Sequence, residues 1–399
     1  MALIELLLWI LAGGALGVFT GLSPGIHLNT MALMVVFFAG KNDFPAVLLI
    51  VAMSVMHSFL DFVPSVFLGA PDEKKGDEPS LPGHKMLLKG KGIKAVKLYA
   101  VGGLFGILIA LALAPFFAAL ALKWFEFIYS MIPFILALLL VAMVCHERTA
   151  KTKIWAVLIT ALSGALGWIA LQNASTGNAL FAMISGFFGA ATIVYSSKKE
   201  QLLKKQKIGN AKYPVWKVLK QSFLGTIAGS IVAFLPSIGA SQAAFAVTRF
   251  AKKTSTKGYI VLLGAINSSN MFYGFIVLFL IGKARNGSAV AVKQIIELNA
   301  GQLLLVIATI MLCTGLAVMA AEFFAEKFSA KIAGINYRKA NVAVLAFIAA
   351  LVVFMTGAQG ALLFATSSAI GVIALASKIK RSHCMAFLAV PTIIYYLRF

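Results

Sequence analysis

The fold is decided by Gly21-Leu-Ser-Pro24-Gly25-Ile-His27-Leu-Asn29-Thr30, a stretch that breaks an otherwise apolar run with proline, glycine and polar residues. A second break, Phe234-Leu-Pro236-Ser237-Ile-Gly239-Ala-Ser241-Gln242, follows 212 positions later (236 − 24). A proline inside a helix removes a backbone hydrogen bond and clashes with the preceding turn. Each break is therefore predicted to end one helix and to begin a short half-helix.

The surroundings of both breaks are those of a membrane protein. Hydrophobic residues make up 61% of the 399 residues and charged residues 12%, against roughly 45–50% and 25% in soluble domains. A helix that crosses a bilayer needs about 20 mostly apolar residues. We predict an all-α, multi-pass protein of the cell membrane with these candidate segments: Ile4–Thr20, Leu28–Ala39, Phe44–Leu68, Leu98–Leu122, Phe125–Cys145, Ile154–Leu171, Ala179–Tyr195, Val218–Phe234, Ala240–Phe250, Tyr259–Ile281, Leu303–Phe324, Val342–Thr356, Ala358–Ala376 and Cys384–Leu397.

The order of features indicates an internal repeat. In each half a hydrophobic helix is followed by a break, by a segment too short to span (Leu28–Ala39 or Ala240–Phe250), and by a long helix with a polar face. Paired broken helices at corresponding positions are typical of transporters built from inverted repeats. We predict a transmembrane helical bundle of two repeats, expected to be inverted, that covers residues 1–195 and 221–399 on either side of a linker, 196–220.

The net charge of +22 raises the possibility of nucleic-acid binding. The basic residues, however, lie in short gaps between apolar runs, where they set membrane topology and attract anionic lipids. The linker holds eight lysines against Glu200 and is predicted to be cytoplasmic. The polar stretch 69–97 is predicted to be a loop or a partly re-entrant segment.

The two breaks together predict an anion-binding site. A broken helix is tolerated in lipid only where its free amides line a protein-walled or watery cavity. The start of a helix offers such amides and about half a positive charge, so two starts that meet near the midplane would bind an anion without arginine. The predicted substrate-binding residues are Pro24, Gly25, His27, Asn29, Thr30, Pro236, Ser237, Gly239, Ser241 and Gln242, with Asn267 and Asn270 on the next long helix.

A polar face on the third segment predicts ion coupling. His57, Ser58 and Asp61 are spaced for one helix face. A carboxylate inside an apolar segment marks an ion or proton route by default, and a histidine one turn away exchanges protons near neutral pH. The coupling ion is left open between H⁺ and Na⁺, and a purely structural His–Asp pair remains the alternative. No metal-ligand spacing and no cofactor motif is present.

Several motifs make the chain similar to a known family. They are Gly21–Thr30, His57-Ser-Phe-Leu-Asp61-Phe-Val-Pro-Ser65, Phe67-Leu-Gly-Ala-Pro-Asp-Glu73, Leu81-Pro-Gly-His84, Gly90-Lys-Gly92 and Leu235-Pro-Ser-Ile-Gly-Ala-Ser-Gln-Ala243. On these residues the chain resembles the TctA family, the large permease subunits of tripartite tricarboxylate transporters, and most closely an uncharacterised archaeal branch of it. The resemblance implies a secondary transporter of carboxylates such as citrate, working with a small membrane subunit and an extracytoplasmic binding protein.

The leading hypothesis is an alternating-access permease for a small organic anion, such as a di- or tricarboxylate, driven by an ion gradient. The alternative is a translocase of a lipid-linked phosphate of the polyprenyl phosphate type, because the same paired helix starts suit a phosphate headgroup. A membrane-embedded enzyme is a third reading, but no nucleophile motif organises the available histidines and aspartates, so we predict that the chain is not an enzyme. Membrane lipids are expected partners, and a homo-oligomer is left open.

Overall fold

The computed structural model describes residues 3–23, 28–67, 82–172, 179–196, 206, 209, 213–235, 238–250, 254–284, 286–332 and 337–397. The described residues form helices and short connections, with no β-strand among them. Seven of the described helices are long and apolar enough to cross a membrane. The prediction of an all-α, multi-pass membrane protein is therefore confirmed.

The first half contains nine α-helices and one short π-helical segment within the described residues. They are α1 (Leu3–Leu22), α2 (Leu28–Phe38), α3 (Phe44–Leu60), α4 (Phe62–Phe67), α5 (Pro82–Leu88), α6 (Gly92–Cys145), α7 (Ala150–Gln172), α8 (Ala179–Ile184), the π segment Ser185–Ala190, and α9 (Ala191–Ser196).

The second half is also built from α-helices and one short segment of another helical type. Its described elements are α10 (Val215–Phe234), α11 (Ala240–Phe250), α12 (Thr256–Ile281), α13 (Gly287–Ile295), α14 (Ala300–Ile332), α15 (Tyr337–Ala376), the 3₁₀ segment Arg381–Met385, and α16 (Ala386–Leu397).

Several boundaries differ from the predicted segments, each for a local reason. The third segment is divided at Asp61, since Pro64 has no N–H with which to bond the Leu60 carbonyl. The predicted gap between Leu122 and Phe125 is wrong, because α6 is continuous over 54 residues, more than twice what one crossing needs. The predicted break between Val342–Thr356 and Ala358–Ala376 is confirmed, because Gly357 inside α15 has φ of 64° and ψ of −162°, which are not helical.

Polar stretches also contain helix that was not predicted. The stretch 69–97, expected to be a loop or a partly re-entrant segment, includes α5 and the first turns of α6. Helix α10 begins at Val215, three residues before the predicted segment Val218–Phe234 and within the predicted linker 196–220. Helix α13 was missed altogether; it starts where Asn286 Oδ1 accepts the Ala289 N–H at 2.8 Å, an ordinary N-cap.

Glycines on α1 let it pack closely along α3. Gly13 lies against the backbone of Leu49, and Gly21 lies against His57 and Leu60. The contacts advance in the same order on both helices, so α1 and α3 are parallel and α2 returns the chain between them. Small residues at such contacts allow the close backbone approach that stabilises helix pairs in membranes.

The corresponding helices of the second half pack in the same way. Gly225 of α10 faces Leu262 of α12, and Gly229 faces Ile266 one turn further on. Helices α10 and α12 are therefore parallel as well, and α11 returns the chain between them.

The two halves interlock through their next long helices. At one end Asn42, just before α3, donates its N–H at 3.0 Å to the carbonyl of Ile295, the last residue of α13, and α14 begins five residues later. At the other end the rings of Phe67 and Phe328 lie 6.4 Å apart. Helix α14 of the second half therefore runs parallel to α3 of the first half and packs along it.

In exchange, α6 of the first half packs along α12 of the second. Gly102 lies against Val261 and Gly106 against Ala265, so α6 and α12 are parallel. Lys97 near the start of α6 pairs with Glu322 near the end of α14, so α6 opposes α14. It follows that α10 and α12 run opposite to α1 and α3, the arrangement expected of inverted repeats; the duplication itself and its division at 1–195 and 221–399 stay predictions.

A second bundle of α7, α8, α9, α15 and α16 stands beside this core. A buried pair joins its loops: His383 Nε2 lies 3.1 Å from Glu147 Oε1. Desolvation by burial lowers the pKa of His383, and the neighbouring Glu147 carboxylate only partly opposes that shift. Arg381, two residues earlier, donates to the Thr192 hydroxyl and the Phe188 carbonyl, which ties the start of α16 to α9 and the π segment.

Candidate functional site

The end of α1 meets α3 at a polar contact. His57 Nδ1 lies 3.0 Å from Thr20 Oγ1, and Thr20 Oγ1 in turn donates to the Gly17 carbonyl at 3.2 Å. Thr20 is buried within the last turn of α1 and His57 is half-buried. Because Ser23, the last described residue before the first break, follows within one turn, His57 lies at the level of that break.

Three helices share a hydrogen-bond network one residue further along α3. The Ser58 carbonyl accepts two hydrogen bonds, one from Tyr99 Oη of α6 at 3.1 Å and one from Asn267 Nδ2 of α12 at 3.3 Å. Asn267 Nδ2 also donates to Tyr99 Oη at 2.9 Å. Ser58 Oγ lies 3.9 Å from Met271 Sδ. The network therefore fixes the contact of α3 with α6 of the same half and α12 of the other half.

Asp61 occupies the junction between α3 and α4, beside this network. Its backbone N–H donates to the His57 carbonyl at 2.9 Å, its carbonyl accepts from the Ser65 hydroxyl at 2.8 Å, and its side chain is half-buried near Tyr99. The Phe62 ring stacks on Tyr99 with centroids 4.0 Å apart and planes inclined by 7°, which closes one side of the group with an apolar wall. We call Thr20, His57, Ser58, Asp61, Tyr99 and Asn267 the Asp61 cluster.

The structure brings the three predicted ion-coupling residues, His57, Ser58 and Asp61, into one cluster, although their role is not tested by it. The His57 ring contacts Thr20, and its pairing with the Asp61 carboxylate stays a prediction. Asn267, which was predicted to bind the substrate, also lies in this cluster, and its predicted role stays a prediction.

Two members of the cluster, Thr20 and Tyr99, were not found from the sequence. Thr20 stands four residues before Pro24 in an apolar helix, and this position beside the break was its one available signal. Tyr99 begins a long apolar segment and carried no signal.

At the second break, Gln242 has a capping role. Its Oε1 accepts the Gly239 N–H at 2.7 Å, and its own N–H donates to the Gly239 carbonyl at 3.1 Å. This reciprocal pair resembles a capping box, and Gln242 is buried. One amide near the start of α11 is therefore already satisfied within the chain, and Asn270 lies half-buried on α12 beside Gly229.

The remaining predicted anion-binding groups are not described in full. Pro24, Gly25, His27, Pro236 and Ser237 lie outside the described residues, and of Asn29, Thr30 and Ser241 only the helical backbone is described. Helix α2 packs against α3 and α13, whereas α11 packs against α10 and α12. A pocket common to both helix starts stays a prediction.

The Asp61 cluster combines few titrating groups with many donors. A carboxylate and an imidazole stand one turn apart, among hydroxyl and amide groups that α1, α6 and α12 supply. Within the described residues no group of three or more His, Cys, Asp and Glu side chains is arranged to hold a metal ion. Chemically, the cluster can take up and release a proton and can reorganise hydrogen bonds at the contact between the two halves.

Comparison with known proteins places the chain in a family of membrane transport proteins. The family model described as "Tripartite tricarboxylate transporter TctA family" matches residues 7–386. An uncharacterized protein of Methanocaldococcus jannaschii is 27% identical over 406 residues, which cover 98% of this chain and 99% of that protein. No solved structure matches the chain significantly.

Proposed function

The chain belongs to the tripartite tricarboxylate transporter TctA family, and from that premise we propose that it is a secondary active permease for a small organic anion, a di- or tricarboxylate, driven by an ion gradient. Membership makes it a membrane transport protein of a tripartite type. The substrate and the driving ion belong to our proposal.

The observation that carries the proposal is the place of the Asp61 cluster. It lies where α3 of one half crosses α6 and α12, beside the break that follows α1. Polar groups inside the membrane are expensive and mark substrate or ion pathways. A cluster at the contact between two oppositely directed halves is where rocking of one half against the other would expose it to alternate sides.

The two helix breaks support an anionic substrate. Helix starts carry partial positive charge and free amides, and the backbone starts α2 and α11 after breaks at corresponding positions. We propose that Asn29 and Ser241, in the first turns of these helices, donate to the substrate carboxylates. We further propose that delivery requires a small membrane subunit and an extracytoplasmic binding protein, as the word tripartite in the family description suggests.

Counterflow in proteoliposomes tests the proposal. Vesicles containing the full chain and preloaded with unlabelled citrate or succinate should take up the labelled compound, without any ion gradient. Asn29→Ala and Ser241→Ala should each lower this exchange about tenfold, because a lost ligand hydrogen bond is worth about 1–1.5 kcal/mol.

The matched control is Ser130→Ala, since Ser130 is exposed on α6 and bonds only within its own helix. If Asn29→Ala and Ser241→Ala both exchange substrate at the parent rate, Asn29 and Ser241 do not bind the substrate. Absence of exchange with every carboxylate offered, with the binding protein present as well as absent, would overturn the proposal.

A further inference from the structure

We propose that the start of α10 binds the headgroup of an anionic phospholipid, with Lys217 and Lys220 on the phosphate and the apolar outer face of the helix along the acyl chains. This inference goes beyond the proposed function, because it concerns the outer face of α10 and not the Asp61 cluster. It holds whichever anion the protein transports.

One face of α10 is apolar and exposed along the length of the helix. Its large exposed side chains recur three or four residues apart, which places them on one side of a helix; they are Trp216, Leu219, Phe223, Ile227 and Ile231. The other side packs against α6, α11 and α12, and there Gly225 and Gly229 lie against α12. The exposed stripe therefore faces outward, where acyl chains suit it.

The polar end of this stripe is built from a tryptophan and two lysines. Lys217 Nζ lies 5.3 Å from the centroid of the Trp216 ring. Lys220 stands one turn further along and, like Lys217, is exposed. Tryptophan is enriched where a membrane meets water, because its ring is apolar and its N–H is polar. The first turn of α10 is therefore at the level of the headgroups, and the apolar stripe continues into the hydrocarbon.

The helices around this turn supply no carboxylate to neutralise the lysines. The described residues of α10, α11 and α12 include no aspartate or glutamate, and α6 has only Glu126, in its second half. The start of α12 adds the half-buried Lys257, and it lies beside the start of α10, since Tyr213 is against Gly258. Lysine ammonium groups bind phosphate as point charges, so a phosphate complements this turn.

Positive charge is concentrated at the whole end of the bundle to which this turn belongs. The parallel helices α6, α10 and α12 begin there, and none of them has an acidic residue in its first turn. Helix α6 contributes Lys91 and Lys94. Such an excess is typical of the cytoplasmic end of a membrane protein, in agreement with the predicted position of the linker that leads into α10. Basic residues at that surface attract anionic lipids.

Quenching by brominated lipids tests the site in the full chain. The protein is reconstituted in phosphatidylcholine vesicles that contain increasing fractions of either brominated phosphatidylglycerol or brominated phosphatidylcholine. The difference in fluorescence between the parent chain and Trp216→Phe isolates the signal of Trp216. We expect half-maximal quenching of Trp216 at a roughly tenfold lower fraction of the anionic lipid, because each lysine near the surface is worth about fivefold in affinity.

Three double variants separate a local site from the general attraction of a basic protein. Lys217→Gln with Lys220→Gln should reduce the preference to about twofold or less. Lys217→Arg with Lys220→Arg should keep it, because the charge is retained. Lys151→Gln with Lys153→Gln, two exposed lysines at the start of α7, makes the same change of charge elsewhere and should also keep it.

Equal quenching by the two lipids, or a preference that survives Lys217→Gln with Lys220→Gln, would overturn the inference. Absence of quenching by either lipid would also overturn it, because another protein chain would then cover the outer face of α10. All these measurements are made without a transported substrate. The permease proposal is therefore decided separately, by counterflow.

Discussion

The parallel contact of α1 with α3 holds the first break beside His57, and it can be tested with a single methyl group. A Cβ atom added at Gly17 would lie 2.6 Å from the Met53 carbonyl oxygen and 2.6 Å from Met56 Cβ. Real Cβ atoms do not approach backbone so closely, so the helices must separate. Gly14, one turn earlier on α1, offers the matched control, since a Cβ there meets nothing nearer than Met56 Cγ at 3.9 Å.

The two substitutions share one favourable effect and differ in one unfavourable effect. Replacing glycine by alanine inside a helix gains up to about 1 kcal/mol of helix propensity at either position. Overpacking a close contact costs about 1–3 kcal/mol, and only Gly17 has that contact. Gly17→Ala should therefore be less stable than Gly14→Ala by about 2 kcal/mol, roughly thirtyfold in the unfolding equilibrium.

Reversible unfolding by SDS in mixed micelles, followed by tryptophan fluorescence, measures this difference. We expect Gly14→Ala to equal or exceed the parent chain in stability and Gly17→Ala to fall below it. If both variants unfold at the same SDS fraction, α1 does not approach α3 as described, and the placement of the break beside the Asp61 cluster loses its support.

Three further outcomes are expected. Tyr99→Phe should lower thermal stability by about 1–3 kcal/mol, because it leaves Asn267 without one buried acceptor; the exposed Tyr395→Phe should leave it unchanged. Burial lowers the pKa of His383 from 6.5, so its contribution to stability is present above about pH 6.5 and is lost as the pH falls through the folded-state value; a pH series of melting temperatures should show this loss, and His383→Gln should flatten it. Gln206 bonds the Gly92 N–H at 2.8 Å and the Leu87 carbonyl at 3.1 Å, so Gln206→Ala should speed tryptic cleavage of the linker severalfold, and an unchanged rate would exclude that anchor.

Helices bounded by strong local signals were predictable from the sequence. Helix α11 has the predicted bounds, Ala240–Phe250, because Pro236 precedes it and two lysines follow it. Helix α13 was missed because its nine residues mix apolar and polar types, and their average hydropathy is no higher than that of a loop. The continuity of α6 was missed because Lys123 and Glu126 lower hydropathy locally, although neither residue interrupts helical hydrogen bonding.

Only the members of the Asp61 cluster that lie along α3 could be predicted from the sequence. Spacing along α3 places His57 and Asp61 on one face, since periodicity reports neighbours three and four residues apart. Thr20 is 37 positions from His57, and Tyr99 is 168 positions from Asn267. Such contacts depend on which helix packs against which, and in a membrane that choice is made by small residues at the contact and not by the pattern of apolar residues.

The exchange of partners between the halves bears on how the chain is made. Ribosomes deliver α3 and α6 to the membrane well before α12 and α14 exist, so the Ser58 carbonyl and Tyr99 Oη wait in lipid without Asn267, their shared neighbour from the second half. The nascent amino-terminal half must therefore be sheltered by the insertion machinery or by transient pairing of its own helices. The same interleaving predicts that the two halves, coexpressed as separate chains, accumulate in the membrane only together.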